Sequence, residues 1–156
     1  MRKYFLLSFF CIYSSFAQDG GLDFSFESLL PLNNSMQSIK VQANGKILIA
    51  GTFDSYLYRL NNDGTLDNSF QLGINPGPSF ALAIQNDNKI IVGGYFPNKI
   101  KRLNENGSID STFACNVQDG GVETIEILSD GKIIIAGYFT TVNGQIRRGI
   151  ARLNSN

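Results

Sequence analysis

Histidine and tryptophan are both absent from the 156 residues. Without histidine there is no Ser-His-Asp or Cys-His nucleophile and no His-ligated zinc site, which removes most common hydrolase chemistry. Without tryptophan, a sugar-stacking platform would have to be built from the six tyrosines. Proline is scarce, at four residues, and charge comes in no blocks of either sign, with 13 basic and 13 acidic side chains. Nothing in that balance points to nucleic acid or an anionic membrane as a partner. Cysteine occurs only at Cys11 and Cys115. Cys11 falls in a leader, so the mature chain keeps one thiol and no internal disulfide, and its stability must come from packing. Cys115 reads as a small buried residue rather than a reactive thiol.

The leader is residues 1–17, MRKYFLLSFFCIYSSFA. Arg2 and Lys3 give the basic start, Tyr4 to Phe16 the apolar run, and Ser15 and Ala17 the small residues before a cut, the pattern of a secretory signal peptide. The thirteen-residue run is too short for a membrane-spanning helix, which needs roughly 20 residues. Cys11 lacks the small preceding residues of a lipid-attachment site. Cleavage near Ala17 would place residues 18–156 outside the cytoplasm, secreted, periplasmic or on the cell surface. Dropping Arg2 and Lys3 leaves 11 basic against 13 acidic side chains, a net charge of about minus two. The remainder is long enough for one domain with a real core.

Within residues 18–156 three phrases recur in fixed order. The first is QDGGLDFSF from Gln18, NDGTLDNSF from Asn62 and ENGSIDSTF from Glu105; copies of the phrase start near 19, 63 and 106. The second is NGKILIAGTF from Asn44, DNKIIVGGYF from Asp87 and DGKIIIAGYF from Asp130. The third is RLN at Arg59, Arg102 and Arg152. The period near 43 residues matches one propeller blade. Each period reads as a four-stranded antiparallel meander, with strands a to d at Ile39 to Gln42, Lys46 to Phe53, Leu57 to Asn61 and Thr65 to Phe70 in the first. Asn44-Gly45 and Asp130-Gly131 read as two-residue hairpin turns with positive φ at both positions. The unbroken apolar run of strand b, ended by Gly51, Gly93 or Gly137, predicts cover on both faces. The charge on strand c predicts one face in water. Asp23, Asp67 and Asp110 read as turn carboxylates accepting nearby N–H groups. Their spacing does not make a calcium loop. Phe26, Phe53, Phe70, Phe96, Phe113 and Phe139 recur with the repeat and are assigned to packing between sheets.

The combination of G-x-L-D-x-S-F, D-G-K-I-x-x-x-G-x-F and I-A-R-L-N at this period resembles the delta-60 repeat family of bacterial secreted and surface proteins, over essentially Asp19 to Asn154. GYFTTVNGQIRRGIARLN is similar to the full-length family repeat, while the first two copies are seven residues shorter between strands b and c. The resemblance implies a propeller-like fold and brings no catalytic motif. The expected fold is therefore all-β, three meander blades forming an incomplete or self-associating propeller. A lone strand d opens this body at Leu22 to Phe26, and a strand c ends it at Asn154. An open arc, a homo-oligomer of two copies that completes a six-bladed ring, a closed three-sheet body and a fragment of a longer array are the assemblies this order allows.

A meander has two ends. The a-to-b and c-to-d turns at one end are uniform, whereas the d-to-a and b-to-c connections at the other vary. Binding residues concentrate on variable loops over a rigid scaffold. The candidate binding residues are therefore Asn33, Tyr56, Asn75, Asn98, Asp119, Asn143, Arg147 and Arg148. The expected role is a non-catalytic module that binds a protein or glycan, with no cofactor or metal and no membrane span. One alternative is a remnant of a larger surface protein. The other, a carboxylate lyase or hydrolase, would draw on Glu27, Asp54, Asp119 and Glu123, which show no repeating pairing.

Overall fold

The computed structural model describes residues 20–28, 30, 35–73 and 77–155. The leader and two of the candidate residues, Asn33 and Asn75, lie outside the described residues. All regular elements among the described residues are strands, and no helix there is long and apolar enough to cross a membrane.

Each apolar run forms the middle strand of an antiparallel three-stranded sheet. Sheet I contains β1 (Met36–Val41), β2 (Ile47–Gly51) and β3 (Leu57–Leu60), and sheet II repeats it with β4 (Ser79–Ile84), β5 (Ile90–Gly94) and β6 (Ile100–Leu103). The third copy adds β7 (Val117–Gln118), β8 (Gly121–Ile127), β9 (Ile133–Tyr138), β10 (Thr141–Val142), β11 (Gln145–Ile146) and β12 (Ile150–Leu153). Sheet III has the order β12-β9-β8, and β11-β10-β7 make a small fourth sheet. The register repeats: Val41 faces Ile47, Ile84 faces Ile90 and Ile127 faces Ile133, each with a bulge at the far end of the pair. Glycine closes the middle strand because the bulge brings the preceding chain close. A Cβ on Gly51 or Gly94 would collide with the carbonyl oxygen of Ser35 or Pro78.

The hairpins differ from the two-residue turns predicted. Gly45 N–H bonds Gln42 O at 2.9 Å and Gln42 N–H bonds Lys46 O at 2.8 Å, which encloses three residues. Gly45 has positive φ, as do Asn88 and Gly131, whereas Asn44 and Asp130 do not share it. This is a type I turn followed by a left-handed bulge residue. The Asn44 side chain selects it by accepting from Lys46 N at 3.1 Å, and Asp87 and Asp130 do the same for Lys89 and Lys132. Middle-copy Asn88 fits because asparagine tolerates the left-handed region.

The fourth strand is the larger correction. Strand d shrinks to one bridge per copy, Leu66 to Leu60 and Ile109 to Leu103, and Leu22 to Phe26 forms no strand. The aspartate that follows stops it. Asp67 Oδ1 accepts from Ser69 N at 3.0 Å and Ser69 Oγ at 2.6 Å, and Phe70 N–H then bonds Asp67 O at 3.1 Å. These local bonds turn the chain away from the ladder. The copy at Asp110 is identical in form.

The cover on both faces predicted for the middle strands holds for β2 and β5, which are almost wholly buried, but not for β9, where half-buried positions alternate with buried ones and Tyr138 is exposed. Between sheets I and II, Leu48, Ala50 and Leu57 pack with Leu82, Val92 and Phe96. Between sheets II and III, Ile91 and Ile100 pack with Val122, Ile125, Ile135 and Phe139. Each such leucine, isoleucine, valine or phenylalanine contributes roughly 1.5–3 kcal/mol by leaving water. Phe53, Phe96 and Phe139 are buried, while Phe26 is 41% exposed, so the packing role assigned to Phe26 does not hold. Strand c departs from the expected half-solvated face in the first two copies, while β12 in the third keeps it, with Ile150 and Arg152 exposed. Arg59 and Arg102 are 5% and 4% exposed, because both find acidic partners.

Candidate functional site

The uniform end of the body holds those partners. Asp67 Oδ2 accepts from Arg59 Nε at 2.7 Å and Lys46 Nζ at 2.8 Å. Asp110 Oδ2 accepts from Arg102 Nε at 2.8 Å and lies 3.1 Å from Lys89 Nζ. Each guanidinium also covers a phenylalanine, Arg59 over Phe70 at 4.5 Å and Arg102 over Phe113 at 4.9 Å. Burial would raise the Asp67 carboxyl, but hydrogen bonds from Lys46, Ser69 and Arg59 outweigh it and hold the group well below the usual carboxylate range. The Thr112 hydroxyl leads the same effect at Asp110, against burial and with help from Lys89 and Arg102. The turn role read for Asp67 and Asp110 is therefore correct but incomplete, since one oxygen shapes the turn and the other closes an ion pair. The missed signal was an arginine eight residues before the aspartate in both copies.

The variable end gathers part of the candidate set. The insert of the third copy folds onto the preceding connection: β10 pairs with β11 and with β7. Asn143 Oδ1 accepts from Asn116 N at 2.8 Å, Asn143 N–H donates to Asn116 O at 2.8 Å, and the Asn98 carbonyl accepts from Val117 N at 3.4 Å. Thr140 donates its hydroxyl to Asp119. Asn98, Asp119 and Asn143 all have positive φ, so each serves its turn as well as presenting a side chain. Asn143 and Arg147 line a cleft of about 280 Å³ with Phe113, Cys115 and Arg152. Arg148 is exposed beside them. Tyr56 is not part of this group; it sits in the β2-to-β3 connection of sheet I at φ 58°. Burial pushes the Cys115 thiol up to about 11, as a buried structural cysteine requires.

The four carboxylates weighed for catalysis each have different neighbours. Glu123 accepts from Tyr95 Oη at 2.9 Å, and Asp119 is bonded to Thr140. Asp54 lines a cleft of about 390 Å³ with Tyr58, Arg59 and Asp67, and Glu27 lines another of about 470 Å³ with Phe24, Leu30 and Asp63. Among the described residues no group of three potential metal-binding side chains comes together.

The family described as "Domain of unknown function (DUF5122) beta-propeller" matches residues 42–70, 85–113 and 128–156, together more than half of the sequence. The chain belongs to this family of β-propeller repeats. No curated protein matches it. Each of the first two DUF5122 repeats spans one set of lysine, arginine, aspartate and phenylalanine, Lys46 to Phe70 and Lys89 to Phe113, and the third holds Lys132 and Arg152. The match supports a β-propeller repeat family, without extending to the delta-60 name.

Proposed function

We propose that this DUF5122 protein is a non-catalytic module, secreted by its leader, that binds a protein or glycan through the variable end of sheets II and III. In this reading the closing phrases are reduced fourth strands of propeller blades. The observation that carries it is the insert at 140–149. Main-chain bonds from Arg147 N to Thr140 O at 2.8 Å and from Gly149 N to Phe139 O at 3.0 Å hold it in shape, and Arg147 and Arg148 stand exposed on it without an acidic partner among the described residues. A rigid loop that leaves two cations in solvent is organised for an external acceptor, such as a carboxylate or a sugar hydroxyl.

The test is binding of the purified protein to a glycan array and to acidic peptides, with the triple substitution Asn143→Ala, Arg147→Ala and Arg148→Ala beside Asn44→Ala and Asn106→Ala at the uniform end. Loss of binding in the first set alone supports the reading. Loss in the second alone, with both proteins folded, rejects it. The address is tested separately by sequencing the exported protein, which should begin at Gln18.

A further inference from the structure

The phrase L-D-x-S/T-F occurs at Leu22–Phe26, Leu66–Phe70 and, with isoleucine first, Ile109–Phe113. The second and third copies are locked by the arginine and lysine of the sheet before them, as described above. Each lock has a further part. Arg59 Nη1 donates to the Glu105 carbonyl, and Arg102 Nη1 donates to the Ser155 carbonyl at 2.9 Å. In both cases the acceptor lies three residues beyond the arginine of the next sheet. A complete lock thus takes a lysine and an arginine from one sheet, the phrase that follows, and a carbonyl from the next sheet.

The first phrase has the shape of the others and no lock. Asp23 Oδ1 accepts from Ser25 N at 2.9 Å and Ser25 Oγ at 2.6 Å, yet no lysine or arginine meets it among the described residues. Leu22 and Phe24 are 78% and 87% exposed. The phrase is nonetheless seated as the others are. Glu27 N–H bonds Asp63 O at 3.1 Å, as Gln71 N–H bonds Asn106 O at 3.1 Å. At the other end of the stack the corresponding donors, Arg152 and Lys132, meet no such phrase among the described residues. Arg152 is exposed and makes no hydrogen bond or ion pair among the described residues, and Lys132 bonds its own neighbour Asp130.

The apolar faces repeat this complementarity. Leu82 on β4 is 1% exposed because it packs on sheet I, whereas its counterpart on β1, Ile39, is 62% exposed and Val41 is 64% exposed. Sheet III leaves Ile150 at 60% and Tyr138 at 70%. One end therefore offers a sheet face with a seated phrase, and the other a sheet face with, among the described residues, an unpaired arginine, Arg152, beside a lysine held only by its own turn, Lys132.

We propose that Arg152 and Lys132 of one chain receive Asp23 of a second copy of the same chain. In this head-to-tail contact Leu22–Phe26 closes sheet III, and the Asn62 carbonyl of the second copy takes the place that Glu105 and Ser155 hold in the internal locks. Such a contact uses two different surfaces and forms a ring when the rotation closes. Two copies bring six blade sheets together, two each of sheets I, II and III, within the range of propeller rings. The inference does not depend on the loop-face reading.

The test is light scattering on the full chain after its own secretion, at low salt, for the native protein, Arg152→Asp, Asp23→Arg and the double variant. The native chain is expected at twice the chain mass. Each single reversal should raise the dissociation constant at least tenfold and shift the mass to that of one chain, and the double variant should restore the dimer. Both side chains are exposed, so the thermal melting of the monomeric variants tests that they fold. A native protein at the mass of one chain overturns the proposal, whether its phrase stays free or closes on its own sheet III. A dimer indifferent to both reversals overturns it equally.

Discussion

Arg59 and Arg102 place Nε on the carboxylates eight residues ahead of them, Asp67 at 2.7 Å and Asp110 at 2.8 Å, with all four side chains buried. A buried pair contributes little beyond what a well-packed apolar pair would, but removing one member leaves a charge without solvent or partner. Asp110→Asn is therefore expected to lower the unfolding free energy by about 3–5 kcal/mol, read from urea denaturation. A change under about 1 kcal/mol would mean that the Arg102 guanidinium regains water, as an exposed pair would allow.

The same two aspartates set the acid response. Both folded carboxyls are held low, against about 3.9 in the unfolded chain. Their contribution is therefore fully present above about pH 5 and is lost as the pH falls through about 4 toward the folded values. No histidine titrates in this sequence, so melting temperature should be flat from about pH 5 to 8 and fall steeply below about 4. In Asp67→Asn the acid limb should be shallower; an unchanged limb would show that other carboxylates cause it.

How much of this was legible in the sequence follows from what each signal depends on. The runs around Ile47–Gly51 and Ile90–Gly94 announced their strands because burial on both faces leaves a composition that single residues reveal, whereas Ile133–Tyr138 carries the same composition on a strand only partly covered. The turn type did not, since Asn-Gly suits both two- and three-residue loops, and the choice rests on the bond from Lys46 N to Asn44 Oδ1. The ion pairs were hidden for a related reason. Arg59 reads as a solvent-facing charge until a partner eight residues away, a lysine and an aromatic ring are seen together. The candidate residues of the third copy were located by loop parity alone, whereas Tyr56 shares that parity and not the group around Asn143.

Lys99 has φ 59° and Tyr56 φ 58°, while the third copy places Gly149 at the corresponding point with φ 76°. A side chain in the left-handed region costs roughly 1–2 kcal/mol, part of which glycine gives back by loosening the unfolded chain. Lys99→Gly is expected to stabilise by about 0.5–1 kcal/mol. Gly149→Ala should destabilise by more than that gain, because its Cβ would also lie 3.2 Å from the Gly137 carbonyl oxygen. Thermal melts of the two variants should move in opposite directions, and parallel shifts would refute the backbone explanation.

Cys115 is 9% exposed with its thiol pushed up to about 11. At pH 8 that leaves about 0.1% thiolate, against about a quarter for an ordinary thiol near 8.5. Greater intrinsic nucleophilicity of a high-pKa thiolate returns roughly tenfold of that deficit. Ionisation alone should therefore slow labelling by a disulfide reagent at least about tenfold relative to the urea-unfolded chain, and burial should slow it further. The measurement is the labelling rate at pH 8 with and without urea. Equal rates would show that reagent reaches the thiol through the cleft it lines with Asn143 and Arg147, and Cys115 would then join the binding face instead of the core.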